Sequence, residues 1–161
     1  MQRTIVIQSS HDLVHQLCKN ILDEVKGNHF GSNEIFGIHL AIEEAMMNAV
    51  KHGNKQNPLK KIQVEYSITP EKFDISIIDE GSGFAPTEVP DPRCGENLFK
   101  ATGRGVLLMK AYMDRVEYNS AGNRVHMVKY KEEIKNKKCK KEPKPLRNSL
   151  SCDGNQTKNK V

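Results

Sequence analysis

A chain of 161 residues with 37% hydrophobic side chains is long enough to fold as one ordinary domain around its own core. It has neither an apolar run of about 18 residues nor a basic segment followed by an apolar one at its N-terminus, so no membrane span or signal peptide is expected and the cytoplasm is the predicted location. The net charge is +5. The four cysteines lack CxxC spacing, so they are predicted to be reduced. The six histidines form no HExxH pair, so no metal site built from protein ligands alone is predicted.

The first half of the chain predicts a strand, two helices and a hairpin. Residues 3–8 are rich in β-branched side chains, and the apolar residues that follow recur every three or four positions, as in an amphipathic helix that ends at Gly27. Ser32 opens a capping-box-like segment, which starts a second helix that runs to about His52. Residues 61–68 and 73–78 alternate between apolar and polar side chains on either side of a turn.

The second half predicts a lid, a helix and two more strands. Residues 80–102 show no periodicity and are long for a connection inside a compact domain, so they are interpreted as a functional lid. A helix is predicted after Gly105, followed by strands at 115–118 and 124–130. The order β-α-α-β-β-lid-α-β-β predicts an α+β domain whose helices cover one face of a single sheet.

The basic charge belongs to the C-terminal segment. Residues 1–130 carry 15 Lys and Arg against 16 Asp and Glu, whereas residues 131–161 carry 10 against 4. Because residues 131–161 also have few apolar side chains and no periodicity, a folded domain at 1–130 and a disordered tail at 131–161 are predicted. The tail is interpreted as a solvated terminus, with nonspecific contact to nucleic acid or acidic protein as the alternative.

Three separated segments concentrate residues that a plain hydrophobic core does not require. The first lies in the second helix, where Glu44 and Asn48 are four positions apart and are predicted to share a face that points away from the apolar stripe. Alone, two polar residues on a helix are typical of a solvated surface.

The second segment, Asp79-x-Gly81-x-Gly83-Phe84, places an acid at the end of a predicted strand with two glycines after it. Glycine allows close approach of the backbone, and a carboxylate can accept a hydrogen bond from an exocyclic amine such as that of adenine. An ordinary acidic turn is the alternative for this segment taken alone.

The third segment, Thr102-Gly103-Arg104-Gly105-Val106, places two glycines at the start of an apolar helix. Backbone N–H groups and the positive end of the helix dipole are exposed there, an arrangement that suits phosphate. A lone GxG is weak evidence, but the order and spacing of the three segments together are much more specific than any one of them.

Together the three segments resemble those of the GHKL ATPases, and among them the anti-sigma factor serine kinases. The resemblance extends from about Ile5 to Tyr130 and does not include the tail. It implies a two-layer α/β sandwich of the Bergerat type, with one mixed, mostly antiparallel sheet, helices on one face and an ATP lid. The matching segments are the N box Glu44-x-x-x-Asn48-Ala49-x-x-His52-Gly53, the first glycine box Asp79-x-Gly81-x-Gly83-Phe84 and the second glycine box Gly103-Arg104-Gly105.

By position, the resemblance implies ATP and Mg²⁺ as cofactors. Glu44 would be the general base, with the adjacent Glu43 as the competing acid, and Asn48 would coordinate Mg²⁺ through its side-chain oxygen. Asp79 would read adenine. The other implied nucleotide-binding residues are His52, Gly81, Gly83, Phe84, Thr102, Gly103, Arg104, Gly105 and Val106.

One departure from the family pattern concerns the adenine side of the pocket. The Gly-Thr sequence that often precedes the last strand in this superfamily is here Gly122-Asn123-Arg124. The phosphate side of the pattern is unchanged.

The resemblance implies a serine/threonine kinase that phosphorylates a small anti-anti-sigma partner of the STAS type, sequesters a sigma factor and so regulates transcription. A second copy of the chain is a candidate partner, whereas neither a membrane nor a specific nucleic acid is expected. The alternative is an ATP-responsive switch that binds partners without transferring phosphate. A histidine kinase catalytic domain is disfavoured because the lid is short and no phosphoacceptor helix pair precedes the predicted fold.

Overall fold

The computed structural model describes residues 2–83 and 104–139. None of the helices in this part of the chain is long and apolar enough to cross a lipid bilayer. The elements are β1 (Gln2–Gln8), α1 (His11–Gly27), α2 (Ser32–Asn48) with a π-helical turn (Ala49–Gly53), β2 (Lys61–Ile68), β3 (Lys72–Asp79), α3 (Arg104–Tyr112), β4 (Arg115–Tyr118), β5 (Arg124–Tyr130) and α4 (Glu132–Cys139).

The strands form one five-stranded sheet in the order β1-β2-β3-β5-β4. Every neighbouring pair is antiparallel. The predicted α+β class with one sheet is therefore confirmed, but the described sheet is antiparallel throughout rather than mixed. Short hairpins join β2 to β3 and β4 to β5, and such connections can join only antiparallel strands.

Alternate residues of the strands face the helices and form one hydrophobic core with them. Residues between these positions, such as Glu65 and Asp74, are partly exposed on the opposite face of the sheet. The period of two in the strands and of three to four in the helices thus brings both apolar sets together. Prominent members of the core are Val14, Ile21, Val25, Ile38, Ile42, Met46, Ile62, Val64, Phe73, Ile75, Ile77, Met109 and Met127.

Helix α2 differs from the prediction at both ends. The N-cap position is Gly31, not Ser32, and the Glu34 carboxylate accepts the N–H of Gly31. At the other end, α-helical geometry stops at Asn48 and a π-helical turn replaces the last predicted turn. The difference at the N-terminus is one residue within a local capping box closed by Glu34, whereas the π-helical turn precedes Asn54, whose side chain contacts distant elements.

The beginning of the basic segment is helical, as α4. The N–H of Glu132, the first residue of α4, donates to Oε1 of the buried Glu34 at 2.6 Å. Lys135 Nζ lies 2.8 Å from Asp114 Oδ1. Residues 140–161 lie outside the described part of the chain.

Lys131 connects the same region to the loop between α1 and α2. Its Nζ donates to the carbonyl of Asn28 and lies 4.8 Å from the centroid of the Phe30 ring. Its main-chain N–H donates to the carbonyl of Glu71 in the β2–β3 turn. Polar side chains and main-chain groups make these contacts, so the low hydrophobicity of the segment gave no sign of them.

Candidate functional site

The first cluster of predicted site residues surrounds the carboxylate of Asp79 at the end of β3. Its Oδ1 accepts the N–H of Gly81 at 2.7 Å. A Cβ atom added to Gly53 would overlap this carboxylate, and one added to Gly81 would overlap both it and the carbonyl of Gly53. The end of the π-helical turn and the first glycine box therefore meet at Asp79, and glycine is required at both contacts.

A buried asparagine that belongs to none of the three motifs, Asn54, stabilises this cluster. The Asn54 side chain donates to the carbonyl of Lys61 at 3.0 Å and accepts the N–H of Glu80 at 2.9 Å. It thus links the π-helical turn to the start of β2 and to the residue after Asp79. Asn after Gly is an ordinary helix-terminating pattern, so only the tertiary contacts distinguish this residue.

The turn between β4 and β5 packs against the first glycine box on the side of Gly83. Gly83 has a φ of +74°, and a Cβ atom on it would overlap the carbonyl of Ala121. Asn123, which stands where the family often has threonine, exchanges contacts with the main chain of Asp79. Its carbonyl accepts the Asp79 N–H at 3.0 Å, and its side-chain amide donates to the Asp79 carbonyl at 3.2 Å.

The surroundings of Asp79 shift the pKa of its carboxyl group. Partial burial raises the pKa of this carboxyl, although the N–H of Gly81 and the ammonium group of Lys60 act in the opposite direction. A carboxyl whose pKa is higher in the folded than in the unfolded chain binds its proton more readily when folded. Its contribution to stability therefore falls as the pH rises through that raised pKa.

We expect Asp79→Asn to weaken ATP binding at least about tenfold, because a hydrogen bond to a charged acceptor contributes about 1.5–3 kcal/mol. We also expect wild-type affinity to fall as the pH drops through the raised pKa of Asp79, because the resemblance assigns the adenine amine to this carboxyl and its protonated form is a poorer acceptor. Calorimetric titration with ATP across the acidic range measures both effects.

Asp74→Asn is the matched control, because Asp74 lies on the same strand but on the opposite face, where it pairs with Lys72 and His126. Its affinity for ATP should be that of the wild type. Unchanged affinity in Asp79→Asn would remove Asp79 from the adenine site.

The second cluster brings the N box and the second glycine box together. A Cβ atom on Gly105 would overlap the Glu44 carboxylate, so this carboxylate lies against the first turn of α3. Two helical turns away, a Cβ atom on Gly37 would lie 3.2 Å from the Tyr112 side chain. Residues seven apart share a helix face, so the two glycine contacts define one close, antiparallel packing of α2 on α3.

The competing acid Glu43 faces in a different direction. Its carboxylate oxygens lie 3.8 Å from His15 Nδ1 on α1 and 3.4 Å from His39 Nε2 on α2. Burial and the nearby charge of Glu43 also raise the pKa of the buried Cys18 thiol to about 12. Glu43 therefore belongs to the side of α2 that faces α1, whereas Glu44 belongs to the side that faces α3.

Asn48 ends α2 immediately before the π-helical turn. Like Glu44 it is partly exposed, whereas the neighbouring Ala45 and Ala49 are buried, in agreement with the predicted direction away from the apolar stripe. The turn is defined by the N–H of Asn54, which donates to the carbonyl of Ala49 at 2.7 Å. Such π-helical turns occur frequently at functional sites.

Asn48, the predicted metal ligand, is partly exposed, and its amide oxygen is a donor that suits a metal ion arriving with a nucleotide. In residues 2–83 and 104–139, no group of three or more His, Cys, Asp and Glu side chains could hold a metal ion. Mg²⁺ usually keeps several waters and phosphate oxygens and takes only one or two protein ligands. The side-chain oxygen of Asn48 fits that single role.

The remaining predicted residues are placed only in part. His52 is exposed in the π-helical turn, and Val106 packs against the core at the start of α3. The backbone of Arg104 begins that helix. Phe84, Thr102 and Gly103 lie outside the described residues, as does most of the predicted lid.

Comparison with known proteins identifies the class. Residues 7–129 match the family described as histidine kinase-like ATPase domain. The match includes both clusters and the sheet from the end of β1 to β5, and it spans well over half of the chain. The chain therefore belongs to the histidine kinase-like ATPase family.

Several curated relatives carry the name serine-protein kinase RsbW. The protein from Listeria innocua serovar 6a is 32% identical over 108 residues, which are 63% of this chain and 69% of the relative. The protein from Staphylococcus aureus is 32% identical over 115 residues, which are 65% of this chain and 72% of the relative. Within the ATPase family, the chain thus groups with the anti-sigma factor serine/threonine kinases, and the resemblance seen in the sequence is confirmed.

Proposed function

We propose that the chain is an ATP- and Mg²⁺-dependent serine/threonine protein kinase that acts in the cytoplasm as an anti-sigma factor. Its protein substrate is a small anti-anti-sigma partner of the STAS type, and its second partner is a sigma factor, which it sequesters to regulate transcription. The observation that carries this proposal is the contact of the Glu44 carboxylate with Gly105 at the start of α3. The names of the relatives support the reaction type.

The chemistry follows from the two clusters. Asp79 accepts a hydrogen bond from the adenine amine, which leaves the phosphates to extend toward the first turn of α3, where backbone N–H groups favour anions. Asn48 would hold the Mg²⁺ that accompanies ATP, and that ion would supply positive charge to stabilise the phosphate oxygens.

Glu44 lies at the same end of α3 and accepts the proton of the substrate serine hydroxyl. The serine oxygen bonds to the γ-phosphorus while the bond from that phosphorus to the β–γ bridging oxygen breaks, so that ADP leaves with the electron pair. Positioning and electrostatic stabilisation supply most of the catalysis in reactions of this kind.

Transfer of label tests the proposed function directly. The full chain is incubated with γ-labelled ATP, Mg²⁺ and each STAS-type protein encoded near its gene, and labelled protein is measured. We expect label on a serine or threonine of one such protein. ATP binding without transfer to any of them would overturn the kinase assignment and favour the ATP-responsive switch.

We expect Asn48→Ala to weaken Mg²⁺-dependent ATP binding roughly tenfold or more and to reduce phosphoryl transfer in parallel, because the bridging ion loses its ligand on the helix. Calorimetry with ATP in Mg²⁺ and in EDTA separates the metal-dependent part. Asn33→Ala, an exposed asparagine in the first turn of the same helix, is the control. Equal affinities of Asn48→Ala and wild type in Mg²⁺ would remove Asn48 as the metal ligand.

A further inference from the structure

The residue that follows Asp79 in the first glycine box, Glu80, is held by three groups from another part of the chain. Its N–H donates to Oδ1 of the buried Asn54 at 2.9 Å, and its carbonyl accepts Lys60 Nζ at 2.8 Å. Its carboxylate accepts the N–H of Lys61 at 2.8 Å. The first two bonds hold the peptide groups on either side of Glu80, so the segment before β2 fixes the loop that carries the Asp79 carboxylate.

Lys60 differs from the other two groups because its contact is made by a partly exposed side chain, which can be replaced without opening the core. Its main chain is hydrogen-bonded on both sides. The carbonyl of Lys60 accepts the N–H of Ser9 at 2.9 Å, and its N–H donates to the carbonyl of Asn57 at 3.2 Å. The side chain therefore extends to Glu80 from a fixed position just before β2.

The ammonium group of Lys60 also acts on Asp79 through its charge. Among the described residues, the charged side chain that shifts the pKa of Asp79 is Lys60, which lowers this pKa against the larger effect of burial. The positive charge thus favours the ionised carboxylate, which is the better hydrogen-bond acceptor. Lys60 acts on the same loop twice, by its hydrogen bond to Glu80 and by its charge.

We infer that Lys60 is a positioning residue for nucleotide specificity, which directs the Asp79 carboxylate toward the exocyclic amine of adenine by holding the carbonyl of Glu80. This inference rests on the proposed function, in which Asp79 accepts that amine. An acceptor that is already fixed loses less freedom when the base binds. A nucleotide without the amine gains nothing from this acceptor, so Lys60 affects the choice between bases rather than the affinity for the phosphates.

The first test compares Lys60→Met with Lys61→Met, since each variant removes one positive charge. Lys61 is the matched control because it contacts Glu80 through its main chain, which the substitution retains, while its side chain is exposed. Calorimetry on the full chain gives the Kd for ATP and for purine riboside triphosphate, which lacks the exocyclic amine. The wild type should prefer ATP.

We expect Lys60→Met to weaken ATP binding about threefold to tenfold and to leave the affinity for purine riboside triphosphate unchanged, a pattern that general destabilisation does not produce. Lys61→Met should keep both wild-type affinities. Lys60→Arg should restore most of the preference, because a guanidinium group also donates to a carbonyl. An equal preference for ATP in Lys60→Met and wild type would overturn the inference.

A second measurement needs no nucleotide. The N–H of Gly81 donates to Asp79 Oδ1, so its amide resonance, followed by NMR against pH in the full chain, reports on this carboxylate. We expect the midpoint of its titration to rise by roughly a few tenths of a pH unit in Lys60→Met, since a charge that favours the ionised form is lost, and to stay at the wild-type value in Lys61→Met. Coincident Gly81 curves in Lys60→Met and wild type would overturn the inference, even if ATP binds.

The outcomes separate this inference from the proposed function. Failure of the wild type to transfer phosphate, with the expected nucleotide preferences and NMR curves, would overturn only the kinase assignment. Equal wild-type affinities for the two nucleotides would remove the adenine role of Asp79 and this inference with it, whereas label transfer would still decide the kinase assignment.

Discussion

Glu44→Gln is expected to lose phosphoryl transfer by about a hundredfold or more, the usual scale for removal of a general base, while it keeps most of its affinity for ATP. Glutamine has nearly the shape of glutamate, so the contact with Gly105 is preserved. It cannot accept the hydroxyl proton as a carboxylate does. Single-turnover transfer to the STAS-type substrate and calorimetry with ATP measure the two properties separately.

Glu43→Gln provides the control that the sequence itself suggests, because the two acids are adjacent. Glu43 is directed toward His15 and His39, away from α3. The variant should transfer phosphate at the wild-type rate. A full rate in Glu44→Gln together with a large loss in Glu43→Gln would exchange the two roles.

The fold was largely predictable because its periodic segments are strong and locally consistent. Strand β2 alternates over its whole length and β3 and β5 over most of theirs. Both long helices carry an apolar stripe, so element order and sheet face followed from the sequence. The exact ends of α2 could not be predicted. At its N-terminus, the Glu34 carboxylate accepts the N–H of Gly31 and also the N–H of Glu132, which is far away in sequence. The π-helical turn likewise depends on the contacts of Asn54.

The motif spacing proposes a set of candidate site residues, but it does not give their arrangement. The motif spacing pointed to Glu44, Asp79 and the glycines, and the structure brings Glu44 to Gly105 and Asp79 to Gly81. Helical geometry alone turns successive residues by about 100°, so it separated Glu43 from Glu44 without showing which one meets α3. That choice depends on how the three helices pack.

A chain that ends at Lys131 is expected to melt roughly 2–12 °C below the full chain, which differs from what the composition of the basic segment suggested. Shortening removes the Glu132 N–H, one of two donors to the buried Glu34 carboxylate, and the ion pair of Lys135 with Asp114. Loss of a donor to a buried acceptor costs about 1–3 kcal/mol, and each kcal/mol corresponds to about 2–4 °C in a domain of this size.

A chain that ends at Cys139 separates the helix from the residues beyond it. It retains all of α4, so its melting temperature should match that of the full chain, and its affinity for ATP should be unchanged. The single variant Lys135→Ala should cost less than shortening at Lys131, because an ion pair with partly exposed partners contributes about 0–1 kcal/mol. If the chain ending at Lys131 has the same melting temperature as the full chain, α4 adds nothing to stability. The domain would then end at Tyr130, as the charge distribution alone predicted.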